Sequence, residues 1–152
     1  EGEYVEGKKQ GFGIFRWHDK SMYEGHFQNS NIHGKGKYIF ADGREYDGDW
    51  VNNKLHGKGT FKWPDGRIYT GEYLNDKKDG IGLFEWPDGK KYKGEWKNRK
   101  QHGLGEYFNV NTKTWRKGMW EFGRRKKWLD EDEDENEKEK EKENDNQKVD
   151  EE

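Results

Sequence analysis

The segment from Tyr46 to Ile68, YDGDWVNNKLHGKGTFKWPDGRI, is followed directly by YTGEYLNDKKDGIGLFEWPDGKK from Tyr69 to Lys91, with the same residue types at the same places. Tyr23, Tyr46, Tyr69, Tyr92 and Trp115 stand 23 residues apart, and Gly2, Gly25, Gly48, Gly71 and Gly94 keep the same interval, with Gly118 one residue late. A fixed period of this length calls for stacked supersecondary units that each touch only their neighbours, and it excludes a fold built around one central core.

Within a unit both halves alternate with period two, the pattern of half-buried strands. Tyr46, Gly48 and Trp50 share one face of the first strand, and Gly57, Gly59, Phe61 and Trp63 share one face of the second. The intervening positions carry Asp, Glu, Lys and Thr. Asn29, Asn52, Asn75 and Asn98 recur in the first turn, where Asn tolerates turn conformations, and Asp-Gly after Ala41, Pro64 and Pro87 closes the second turn. The sequence therefore predicts an all-β, elongated, single-layer antiparallel meander of 23-residue hairpins with one ring-and-glycine face and one charged face. About eleven strands at ~4.8 Å spacing give a ribbon roughly 50 Å long. The glycines leave slots in which rings of adjacent strands lie, an exchange of roughly 0.5–1 kcal/mol of backbone entropy for ~1.5–3 kcal/mol of ring burial. Lys20 and Thr112 replace the turn glycine, so the first and last units are expected to be less regular, and the extra residue in TWRKGMW predicts a bulge.

Composition supports burial by rings alone. Only 27% of the 152 residues are hydrophobic, and 8 Trp, 8 Tyr and 8 Phe supply most of that set, against roughly 45–50% apolar residues in an ordinary domain. There is no cysteine, which excludes a disulfide scaffold, a thiolate metal site and a cysteine nucleophile. No apolar run approaches the ~18 residues of a membrane span and no signal-peptide pattern opens the chain, so the expected setting is the cytoplasm. The net charge of −2 divides unevenly: 26 basic against 18 acidic residues up to Leu129, and 4 against 14 from Asp130 onward. Three regions follow: a repeat array over 1–122, a basic capping segment over 123–129 and an acidic low-complexity tail over 130–152, disordered or helical. The chain opens in mid-unit without Met, so an N-terminal portion is expected to be missing.

Several motifs invite chemical readings. His33, His56 and His102 occupy one repeat position, so they should lie ~10 Å apart and cannot converge on a metal; a turn-side packing or hydrogen-bonding role is expected. HGKGT at His56 has neither the spacing nor the helix of a phosphate loop. Asp47, Asp49, Glu72 and Glu95 fall on the polar face with Lys and Arg nearby and no apolar pocket to tune them, which reads as cross-strand ion pairing. Nothing resembles a nucleophile with its base, so no catalytic, metal or cofactor site is expected. The residues expected to form an interaction or packing face are Phe27, Tyr46, Trp50, Phe61, Trp63, Tyr69, Tyr73, Phe84, Trp86, Tyr92 and Trp96. GRRKKWL, with Arg124, Arg125, Lys126 and Lys127, is expected either to cap the array through Trp128 or to meet an anionic surface such as lipid; nucleic acid is not expected.

These residues resemble the MORN repeat, a 23-residue unit of the form Tyr-x-Gly-x-Trp, a short turn, then Gly-x-Gly and Asp-Gly. The resemblance runs from Gly2 to about Glu121. Asp79 and Gln10 depart from it where the family places His, and NVNTKT lacks the final Asp-Gly. It implies an antiparallel β array acting as a scaffold among other proteins in cytoskeletal or ciliary assemblies, radial spokes and the axoneme included, with self-association through the array edges. It leaves open a membrane or phosphoinositide adaptor, or the regulatory part of a larger enzyme.

Overall fold

The computed structural model describes residues 1–129, and the tail expectation lies outside them. Twelve strands follow one another in a single antiparallel sheet, each paired with the next in chain order. They are β1 (Gly2–Val5), β2 (Lys8–Arg16), β3 (Met22–Gln28), β4 (Asn31–Ile39), β5 (Glu45–Val51), β6 (Lys54–Lys62), β7 (Ile68–Leu74), β8 (Lys77–Glu85), β9 (Lys91–Lys97), β10 (Lys100–Asn109), β11 (Thr114–Glu121) and β12 (Arg124–Trp128). The basic segment expected as a cap is thus itself the twelfth strand, pairing Gly118 with Trp128 and Glu121 with Arg124.

Register puts glycine opposite glycine along the array: Gly25 faces Gly36, Gly48 faces Gly59, Gly71 faces Gly82 and Gly94 faces Gly105. Over each pair lies the tyrosine two residues before the first glycine. A Cβ on Gly59 would meet Tyr46 Oη at 2.3 Å, and the Cβ positions of Gly36, Gly82 and Gly105 meet Tyr23, Tyr69 and Tyr92 in the same way. Tyr23, Tyr46, Tyr69 and Tyr92 are each at 0% exposure, although among the described residues no second layer covers the sheet. Ring packing accounts for this: Tyr46 meets Trp50 edge-on at 5.1 Å in its own strand and Tyr73 at 5.4 Å in the next unit. Each hydroxyl donates to the carbonyl three residues on, as from Tyr46 to Asp49 at 3.0 Å and from Tyr69 to Glu72 at 2.8 Å, so the polar tip of the ring is satisfied. Burial pushes all four phenols well above their ordinary pKa.

The glycine two residues before the second member of each pair has a different task. Gly57 takes φ 72° beside the register shift between Gly48 and Trp50 in the β5–β6 pairing, a bulge that an L side chain resists. The carboxylates on the opposite face accept the amides that follow these bulges: Asp49 takes Lys58 N at 3.0 Å, Glu72 takes Ile81 N and Glu95 takes Leu104 N at 2.6 Å. The cross-strand pairing expected for these acids is present at Asp49, 2.8 Å from Lys35 Nζ.

The bulge expected in TWRKGMW lies on one side of β11 only: its pairing with β12 shifts register between Met119 and Trp120, whereas its pairing with β10 is regular from Asn109–Thr114 to Gly103–Trp120. The extra residue before Gly118 is absorbed in the turn over 110–113. Because strand faces alternate, a shift of one residue moves a side chain to the other side: Trp115 leaves the tyrosine series, lies 44% exposed on the opposite face and packs on Phe108 at 5.2 Å. Arg116 takes the tyrosine place and lies over Trp128 at 4.5 Å.

Candidate interaction surface

The sequence-predicted rings are brought together on one face, in two rows. Phe27, Tyr46, Trp50, Tyr69, Tyr73, Tyr92 and Trp96 come from the odd-numbered strands and are all buried. They hold the array together and offer little to a ligand. The second row comes from the even-numbered strands and the positions just after them. Phe15, Trp17, Tyr38, Phe40, Phe61, Trp63, Phe84, Trp86, Tyr107 and Trp128 form one continuous stripe, with neighbouring centroids 4.5–6.5 Å apart. Phe61 and Phe84 are buried and the other eight are half-buried against the core. The array thus leaves a strip of aromatic surface running across the strands. Where it passes Trp17, Tyr38, Phe40 and Trp50 it opens into a cavity of about 390 Å³, with Asp76 also in its wall.

Cations are a regular part of this face. Arg44 lies over Phe40 at 4.6 Å and Arg67 over Trp63 at 4.9 Å. Lys78 occupies the repeat position held by Ile32 and Leu55 in earlier units, with its ammonium 5.3–5.8 Å from the rings of Trp63, Tyr69, Phe84 and Trp96. Burial, followed by the nearby Arg99 and Arg67 charges, lowers the Lys78 pKa. Sequence reasoning missed Ile32, Leu55 and Lys78, although their interval of 23 was visible. The bulge hides them, since the two residues after each first turn look like loop.

The turns on one side also couple unit to unit. Asn53 N donates to Ile32 O at 2.9 Å, Asp76 N to Leu55 O at 3.0 Å and Arg99 N to Lys78 O at 3.0 Å. Asn53 Oδ1 accepts Ile32 N and Asp76 Oδ1 accepts Leu55 N, both at 2.8 Å. His33 Nδ1 accepts Asn52 N at 3.3 Å, the turn-side bond expected for it. His56 and His102 hold the equivalent places with Nδ1 buried and unpaired. No cluster of three metal-ligating side chains is present among the described residues.

At the far end, the basic run is engaged within the protein. Lys126 pairs with Glu121 at 3.0 Å, Arg125 lies over Trp128 at 4.4 Å and Lys127 has a partner of its own, while all four basic residues from Arg124 to Lys127 are exposed. Trp128 lies edge-on to Trp120 at 5.9 Å, so β12 closes the ring face with a tryptophan flanked by two guanidinium groups.

The family model described as MORN repeat matches residues 1–22, 23–43, 46–66, 69–91 and 92–111. Comparison with curated proteins gives no match.

Proposed function

The chain belongs to the MORN repeat family, whose repeats are interaction modules for proteins and membranes, and from that premise we propose that it is a non-enzymatic scaffold of a ciliary axoneme or another cytoskeletal assembly. The observation that carries the scaffold reading is the half-buried ring stripe. Its rings are already ordered by the core beneath them, so a partner laid along them immobilises few side chains, and aromatic residues are the usual anchors of protein interfaces. The cytoplasm and cytoskeleton are the proposed location, and further copies of the chain are proposed to associate through β1 and β12, the edge strands of the sheet among the described residues.

Proximity labelling in ciliated cells with the chain tagged at its C-terminus tests this, alongside a Trp63→Ala/Trp86→Ala variant. Enrichment of axonemal or other cytoskeletal proteins that is lost in the variant supports the reading. Neighbours drawn from membranes, or enrichment indifferent to the stripe, sink it. The membrane reading rests on Arg124 to Lys127, of which Lys126 and Arg125 already have partners in the fold. It requires flotation with phosphoinositide vesicles that falls as salt is raised.

A further inference from the structure

The first four units carry one construction at the second turn, and the first of them lacks a part. In the second unit Asp42 accepts Arg44 N through Oδ1 at 3.1 Å and Arg44 Nε through Oδ2 at 2.7 Å, while the guanidinium lies 4.6 Å from the centre of Phe40. In the third, Asp65 does the same for Arg67, at 3.0 and 2.8 Å, with the guanidinium 4.9 Å from Trp63. In the fourth, Lys90 keeps the ion pair with Asp88 at 3.3 Å. The first unit retains the ring, Trp17, and the carboxylate, Asp19, but places Ser21 where the arginine belongs.

Ser21 reproduces only half of the pattern. Its amide and its hydroxyl both bond to Asp19 Oδ1, so the turn is held and the Asp19 pKa is lowered by these two bonds. Asp19 Oδ2, the oxygen that takes the guanidinium in the two neighbouring units, has no basic partner among the described residues. Trp17 is half-buried and, among the described residues, no cation lies over it. Lys20, next in the chain, takes the left-handed turn position at φ 73° and pairs with no acid among the described residues. The cavity walled by Trp17, Tyr38, Phe40 and Trp50 lies alongside.

We propose that Trp17 and Asp19 form a binding site for an arginine side chain of a partner protein, whose guanidinium takes the place that Arg44 and Arg67 fill from within. Arginine is preferred over lysine because its planar fork both stacks on a ring and presents Nε to a carboxylate oxygen. The flanking segment of the partner lies in the adjoining aromatic cavity. The proposal names the partner chemistry for one end of the ring stripe and in that respect rests on the docking reading above.

The test follows the indole resonances of the 152-residue chain by NMR, with Trp17 assigned through Trp17→Phe, during titration with acetyl-Gly-Arg-Gly-amide and its lysine and citrulline counterparts. Saturable shifts of Trp17 with the arginine peptide are expected, several-fold weaker with lysine and absent with neutral citrulline. Asp19→Asn retains the acceptor for Ser21 and removes the charge, and should weaken binding about tenfold or more. Ser21→Arg supplies the missing group from within, as in the next two units, and should abolish binding in a folded protein. An unmoved Trp17, equal shifts with citrulline, or a folded Ser21→Arg that still binds overturns the site. Partner capture that survives such a result overturns the arginine site alone, and arginine binding without partner capture overturns the scaffold reading alone.

Discussion

Gly59→Ala is the smallest change that tests the ring-over-glycine construction. The added methyl would lie 2.3 Å from Tyr46 Oη and 2.4 Å from Cζ, against about 3.5 Å for an ordinary contact. A methyl on the facing Gly48 would be as crowded, 2.4 Å from Gly59 Cα and 2.8 Å from Tyr46 Oη, so the backbones and the ring are closely packed around both glycines. The ring, now at 0% exposure, has to leave. Uncovering a buried tyrosine costs about 4 kcal/mol at 25 cal/mol per Å² over roughly 160 Å². Losing the hydrogen bond to Asp49 O adds about 1 kcal/mol. Alanine returns roughly 0.5–1 kcal/mol of backbone entropy, so the expected net loss is about 4 kcal/mol. Urea unfolding followed by tryptophan fluorescence measures it, with sucrose added to all samples if the variant is marginal. The decisive comparison is the same substitution in a Tyr46→Ala background, where there is no ring to displace and Gly59→Ala should be neutral or slightly stabilising. A coupling of ~3 kcal/mol or more is expected. Additive losses would refute the account and assign the glycine to backbone geometry alone.

Other consequences are as specific. Tyr23, Tyr46, Tyr69, Tyr73 and Tyr92 all have phenol pKa values raised by burial; a raised folded-state pKa gives stability that is intact below the unfolded value near 10 and lost above it. Phenolate absorbance should therefore show a cooperative component coincident with loss of tertiary fluorescence above about pH 10, and its appearance in an intact fold would contradict the burial. Lys78→Leu, which installs the residue of the preceding unit among the same four rings, should stabilise by about 1 kcal/mol by removing a partly desolvated ammonium, read as a higher urea midpoint; a loss of that size would mean that the cation–π contacts dominate. Asn53→Ala removes the acceptor of Ile32 N and places alanine at φ 67°, so it should cost about 2 kcal/mol. Asn53→Gly should recover the part due to the backbone, and equal losses in the two variants would leave the hydrogen bond as the whole effect.

The meander, the face alternation and the ring-over-glycine slots were legible because they repeat: one residue type at a fixed interval averages over the noise of any single position. Where the chain departs from the interval by one residue, the reading fails in a defined way. Trp115 keeps the numerical spacing of Tyr92 plus 23 but lies on the opposite face, because the turn at 110–113 took up the inserted residue and register is counted from the paired glycines. GRRKKWL was legible as a cap through Trp128. Its strand pairing was not, since four consecutive cations hide the alternation that would reveal an edge strand.

The division of the rings into a buried row and a half-buried stripe was beyond the sequence altogether. Both rows are aromatic, and only the height of each ring above its neighbours decides which one meets solvent. Tyr23, Tyr46, Tyr69 and Tyr92 lie against glycine backbone and sink to 0% exposure; the stripe rings stand on other rings, and all but Phe61 and Phe84 stay half-buried. Once the units are superposed by register, the exceptions to the repeat become informative, because neighbouring units act as controls in the same molecule. An arginine present in two units and a lysine in a third shows what the turn carboxylate accepts. Serine in the first unit holds the turn through Oδ1 and so keeps the structure while leaving the acceptor open. A substitution that preserves the turn and removes only the internal ligand is the pattern a binding site produces, whereas general irregularity of the first unit gives no reason to spare both the ring and the carboxylate. Charge removal separates the two: Asp19→Asn, which keeps the Oδ1 acceptor for Ser21, should leave the unfolding free energy within about 0.5 kcal/mol of the parent chain while weakening arginine binding, and a unit without a ligand would show no arginine binding even in the parent chain.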